Sequence, residues 1–203
     1  QLSSRFLKVF FVPGNHDLWV IRDRDGMDSM GKFDILTREA ASCGVSMTAE
    51  RIGHISIVPL LGWYDYSFGQ PDPALQDIWM DNHACRWPGA WSVRAITDFF
   101  IDKNQLDLVD KNTMVISFSH FLPRIDVMPN FIPESRRILY PVLGSSRLED
   151  QIRQLGSDIH VYGHSHVNRD VCIDGVNYIN NAFAYPHETR ISAKQLKCIY
   201  SDH

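Results

Sequence analysis

Two short strings carry the side chains best suited to chemistry, Pro13-Gly14-Asn15-His16-Asp17 and Gly163-His164-Ser165-His166, with Ser119-His120 between them. An amide oxygen and several imidazoles are the hard and borderline donors that divalent transition metals accept. Each string follows a β-branched or aromatic run: Val9 to Val12, Val115 to Phe118 and Ile159 to Tyr162. Each is therefore read as the loop that leaves the carboxyl end of a buried strand. In open α/β sheets that edge is where active sites are built. Taken singly, Asn15 is equally a turn residue after Pro-Gly, and any one histidine an ordinary core or surface side chain. Their joint placement on three strand ends favours the metal reading.

The elements that must position them follow from patterning. Phe6 to Val12 is a near-continuous apolar run broken by Lys8, as expected of a strand buried on both faces. A helix is expected over residues 29–43, with Ser29 as cap, an apolar stripe through Phe33 and Leu36, and Gly44 as the stop. Ile55 to Leu61 and Thr113 to Phe118 read as strands. The Pro- and Trp-bearing stretch from Trp63 to Trp91 lacks periodicity and reads as a long loop, a frequent location for binding sites. Ser92 opens a helical pattern, and Pro123 to Pro141 is loop again. Ser146 and Glu149 make a capping box for a helix ending at Gly156. Asp174-Gly175 centres a β-hairpin over residues 170–180, and 194–200 is a candidate edge strand. Strands alternating with helices, then a hairpin, predict an α/β fold.

With Gly-Asn-His-Asp, a lone His and Gly-His-x-His in this order, the chain resembles the calcineurin-like metallophosphoesterases. Residues 10–19, 116–124 and 182–186 resemble a branch of that family found in plants, algae and bacteria. The resemblance implies a two-sheet sandwich flanked by helices in four layers, with metals at one end of the sheets. It also implies two divalent metal ions, manganese, iron or zinc, and hydrolysis of phosphate esters by a metal-bridged hydroxide. Asn15, His120 and His164 would hold one metal and His166 the other. His16 cannot easily share a metal with Asn15, because adjacent side chains diverge. The resemblance makes it the general acid that protonates the leaving alkoxide. Arg124, four residues after His120, is the candidate phosphate clamp, since a guanidinium fork matches paired oxygens; a surface salt bridge is its other reading.

The family also carries Asp-x-His and Gly-Asp upstream of Gly-Asn-His-Asp, and neither occurs before Pro13. Asp81-Asn82-His83 and Asp158-Ile159-His160 match the first string. One falls in a predicted loop and the other within a predicted strand, so neither is taken as a substitute. The expectation is a single domain over residues 1–203 that is N-terminally truncated. The missing piece would be at least a βαβ unit of roughly 30 residues. Such a chain is expected to have weak or no hydrolytic activity alone and to hold at most one metal well.

Composition narrows the partners. A formal charge of −4, without a run of Lys or Arg, argues against a nucleic-acid scaffold. No apolar stretch approaches the roughly 20 residues of a membrane span. Four unpatterned cysteines fit an intracellular, reducing compartment. The expected partner is a small phosphorylated substrate or a phosphoprotein. The alternative is a non-catalytic binding or assembly module on the same fold, in which such sites tend to lose ligands. Here Asn15, His16, His120, His164 and His166 are all in place.

Overall fold

The computed structural model describes residues 2–23, 26–89, 91–107, 109–110 and 112–202. In chain order the elements are β1 (Val9–Phe10), α1 (Ser29–Ser42), β2 (Val45–Ser46), β3 (Glu50–Ile52), β4 (Ile55–Leu60), α2 (Pro73–Ile78) and α3 (Met80–Ala84). They continue with α4 (Val93–Ile101), β5 (Met114–Ser119), α5 (Ser146–Leu155), β6 (Ile159–Tyr162), β7 (Arg169–Ile173) and β8 (Val176–Asn180). Short 3-10 turns cover His16–Leu18, Ile125–Val127 and Glu134–Val142.

Six strands form a mixed sheet in the order β3-β4-β5-β6-β8-β7. Its four inner strands, β4, β5, β6 and β8, run parallel, so their carboxyl ends share one edge. β3 and β7 close the sides antiparallel. A second, two-stranded parallel sheet joins β1 to β2, and the Phe10 ring meets Phe118 of β5 edge-on at 6.4 Å. The α/β sandwich expected from the sequence is therefore present, with a short second sheet. The long apolar run at the start contributes only Val9 and Phe10 to it, because β2 offers a two-residue partner; Phe6 and Leu7 are exposed.

Helix ends obey local chemistry at slightly different residues from those expected. Asp28, not Ser29, caps α1 by accepting from the Gly31 N–H, while the Ser29 hydroxyl donates to the Leu18 carbonyl. Ser145, not Ser146, caps α5, and Gly156 ends it in the left-handed conformation at φ 66°. Glu149 consequently makes no capping box; it takes Arg153, Arg124 and the Tyr178 hydroxyl instead. Asp174 and Gly175 both have positive φ, as a two-residue hairpin turn requires. Residues 194–200 form no strand. The aromatic sequel to β4 is core: Trp63 and Tyr64 are buried, and both pack on Phe121. No described helix is long and apolar enough to cross a membrane.

His160, on β6, is fully buried between hydroxyls. Ser119 donates to the Phe121 carbonyl, so it must accept from His160 Nε2–H at 3.0 Å. His160 Nδ1 then accepts from Ser117 at 2.8 Å. Burial lowers its pKa to about 3, against about 6.5 unfolded. Between those values the unfolded chain binds a proton that the folded one refuses. This contribution to stability is therefore complete above about pH 6.5 and is lost as the pH falls toward the folded value. His160→Asn is expected to flatten the acid side of the stability profile. Urea midpoints measured at several pH values below about 6.5 check this; an unchanged slope contradicts it.

Candidate active site

Three loops meet at the carboxyl edge of the sheet. In the first, the Gly14 N–H donates to the Asp17 carboxylate at 2.8 Å, closing the turn that presents Asn15. In the second, His120 directly follows β5. In the third, His164 and His166 both have left-handed backbones, φ 60° and 59°. Non-glycine residues rarely adopt this conformation, and outliers of this kind gather at functional sites. Asn180, at the end of β8, fixes that loop by donating to the Gly163 carbonyl and the Ser165 hydroxyl, each at 3.0 Å.

The side chains converge as a triangle. Asn15 Oδ1 lies 3.1 Å from His120 Nε2, and His120 Nε2 lies 3.1 Å from His164 Nδ1. Hydrogen-bond partners on the far side assign the facing atoms of Asn15 and His164. Asn15 Nδ2 donates to both oxygens of Asp81, at 2.9 and 3.1 Å, so its carbonyl oxygen faces inward. His164 Nε2 meets the Val142 carbonyl at 3.1 Å and must donate to it, which leaves Nδ1 with a lone pair. Two acceptors thus face one ring nitrogen that can supply a single proton. Desolvation lowers the His120 pKa to about 4 and that of His164 well below its ordinary value, so both rings are neutral at physiological pH. With His120 in the tautomer that leaves Nε2 unprotonated, Asn15 Oδ1 and His164 Nδ1, each 3.1 Å from that nitrogen, join it as donors that fit a shared cation about 2.1 Å from each.

The segment carrying Val142 is pinned by a bridge between Leu122 and Gly144. A Cβ on Gly144 would lie 1.9 Å from the Leu122 carbonyl oxygen. Gly144→Ala is expected to destabilise the fold by about 3 kcal/mol or more. Thermal melting checks this, and a near-native melting temperature would show that the bridge is dispensable.

A cavity of about 610 Å³ opens over the triangle. His16 lines it from outside the triangle, its ring stacked on Trp19 at 3.9 Å. His166 lines it too, but its Nδ1 is paired with Glu188 at 2.9 Å and it does not join the triangle. Burial tends to raise the Glu188 pKa, yet the Tyr185 N–H and His166 hold it below the ordinary carboxylate range. Among the described residues, no three His, Cys, Asp or Glu side chains form a cage for a metal ion. The triangle owes its third corner to an amide.

Arg124, expected at the phosphate, is not brought to the cavity. Its guanidinium is shared by Asp126, Glu149 and Asp174 at 2.6 to 3.2 Å, carboxylates supplied by its own turn, by α5 and by the hairpin. No Lys or Arg lines the cavity among the described residues. Instead, one wall is apolar, made by Leu75, Ile78, Trp79, Met80, Leu139 and Leu143. The cysteines are free; Cys85 is buried and the other three are exposed.

Sequence reasoning missed Asp81, Trp79 and Glu188. Asp81 is buried, and accepts from Trp19 Nε1 at 2.6 Å and Trp79 Nε1 at 3.0 Å as well as from Asn15. Burial pushes its pKa up, against hydrogen bonds from Trp19, Asn15 and Trp79. The string Asp81-Asn82-His83 was visible, but nothing in its spacing connects it to Asn15.

No protein-family model matches the chain. It is 27% identical over 215 residues to the acyl-carrier-protein phosphodiesterase PptH of Mycobacterium tuberculosis, an alignment covering 93% of this chain and 64% of that protein. The chain thus spans less than two thirds of that relative's length. The crystal structure of phosphopantetheinyl hydrolase (PptH) from the same organism matches with a TM-score of 0.66 at 25% identity, covering 88% of this chain and 70% of that one. The α/β architecture described above is therefore one that the chain shares with PptH.

Proposed function

We propose that this chain carries a metal-dependent site for phosphoester hydrolysis, and that its substrate is a phosphodiester. The observation that carries the reading is the triangle of Asn15 Oδ1, His120 Nε2 and His164 Nδ1, in which two acceptors lie 3.1 Å from one ring nitrogen that can offer at most one proton. The likeness to PptH supports phosphodiester chemistry. Asn15, His120 and His164 would hold a divalent ion, and His166, with its Nδ1 oriented by Glu188, would present its other nitrogen to a second. Mixed nitrogen and oxygen donors suit manganese, iron or zinc. Such ions lower the pKa of water and neutralise phosphoryl oxygens, the two obstacles to hydrolysis.

The chain's own residues supply the rest. His16, outside the triangle on the cavity wall, is placed to give a proton to the departing alkoxide oxygen. Trp19 beneath the ring holds its plane. A wall to which the described residues bring no Lys or Arg offers little to the second negative charge of a phosphomonoester. A monoanionic diester needs less compensation, and its second ester arm can lie on the apolar wall. By likeness to PptH, that arm belongs to a carrier-protein conjugate or a small diester built the same way. The activity, substrate and partner of the whole protein all belong to this proposal.

Manganese binding followed by calorimetry, together with hydrolysis of bis(p-nitrophenyl) phosphate and p-nitrophenyl phosphate, tests it. The expected result is metal uptake and faster turnover of the diester, both abolished by chelator. Failure to bind manganese, zinc or ferrous iron refutes the metal reading. Metal uptake with neither ester turned over favours the non-catalytic module.

A further inference from the structure

We propose that Asp81 is the positioning residue of the metal triangle: it selects which end of the Asn15 amide faces the cavity. The inference rests on the metal reading above and adds a residue outside the histidine and asparagine strings. The two ends of a carboxamide have nearly the same shape. What faces the NH₂ group decides which end points where. Asp81, 3% exposed, borders the same cavity on the amide-nitrogen side of Asn15, and its oxygens meet donors: the Asn15 amide and the indoles of Trp19 and Trp79. A carboxylate accepts from all of them; a neutral amide in its place would set one NH₂ against a donor. Asn15 Nδ2 is thereby held on Asp81 and Oδ1 is turned toward His120.

Asp81 has no Lys or Arg partner among the described residues: no nitrogen of either type forms a salt bridge with it. Its hydrogen bonds from Trp19, Asn15 and Trp79 work against burial to favour the ionised form, and a carboxylate one side chain from the triangle favours a cation beside Asn15. Outer partners of this kind typically change metal affinity by about 10–100-fold when altered.

A swap of the two side chains separates positioning from mere support. In Asn15→Asp two carboxylates face each other at about 3 Å, and manganese affinity should fall by at least about 100-fold. In Asp81→Asn, Trp79 retains a second acceptor, the Tyr64 hydroxyl at 3.1 Å, so the shape of the pocket is preserved. Affinity should fall by about 10–100-fold with little change in the melting temperature of the metal-free protein. In the double variant the amide introduced at position 81 can donate to the carboxylate introduced at position 15, whose free oxygen again faces His120. Affinity should recover at least about tenfold over Asn15→Asp alone.

Calorimetric manganese titration of the full chain and its variants reads this without any turnover assay. Recovery in the double variant supports the positioning role. A double variant that binds no better than Asn15→Asp overturns it, as does a native affinity in Asp81→Asn. If the unaltered chain takes up no manganese, the metal reading itself has failed, a result distinct from either.

Discussion

Replacing His16 by alanine is expected to lower kcat by about 10²–10⁴-fold on a diester whose leaving group is an alkoxide, while manganese binding stays within a few-fold of the parent. The ring lines the cavity but makes none of the 3.1 Å contacts of the triangle, so its removal spares the proposed ligands. An alkoxide leaves poorly unless it is protonated, whereas p-nitrophenolate is stable as an anion. The loss should therefore shrink markedly on bis(p-nitrophenyl) phosphate. Comparing kcat for alkyl and nitrophenyl diesters, with metal content measured in parallel, checks the assignment. Equal losses on both substrates would reassign His16 to binding, and loss of metal would make it a ligand or a support of one.

The second large effect is expected at Gly14. A Cβ there would lie 2.5, 2.6 and 2.8 Å from three atoms of the His120 ring, well inside contact distance. The backbone has little room to yield, because the Gly14 N–H is held by Asp17 at 2.8 Å. The ring must move instead, and with it the nitrogen that meets both Asn15 and His164. A displacement of about 1 Å can cost on the order of 100-fold in rate, so Gly14→Ala should lose at least that in kcat/KM and should weaken manganese binding as well. Gly163→Ala provides the contrast. Its Cβ would meet the carbonyl oxygen of His120 at 3.3 Å and the ring at 3.6 Å, a far milder crowding. If the two alanine variants behave alike, the backbone relieves the clash at Gly14 and the ring of His120 stays where it is.

Much of this arrangement was legible in the sequence because it is local. Strand ends followed by Asn15, His120 and Gly163-His164 placed three loops on one edge, and the fold brings three of the named side chains into contact. The hairpin at Asp174-Gly175 and the stop of α5 at Gly156 depend on backbone preferences within a few residues. What escaped depends on distant partners. Arg124 looked available until Glu149 and Asp174, 25 and 50 positions away, claimed its guanidinium. The aperiodic stretch after Trp63 contains α2 and α3, six and five residues long, too short to show a stripe. Packing of Leu75 and Ala84 in the core holds them. Asp81 reaches Asn15 across 66 residues, which no local pattern encodes.

The Asn180 side chain described above ties the third loop to the sheet by way of β8, and β8 is the inner strand of the pair that ends the sheet. Within the sheet of described residues, β6 is the strand through which that pair joins the other three. Any excursion that peels the hairpin away from β6 therefore also unties the Gly163–Ser165 turn and releases the strained backbone that aims both histidines. Ion retention and the opening of this border are in that sense one equilibrium: an occupied site would hold the hairpin shut, and a frayed hairpin would let its cargo go.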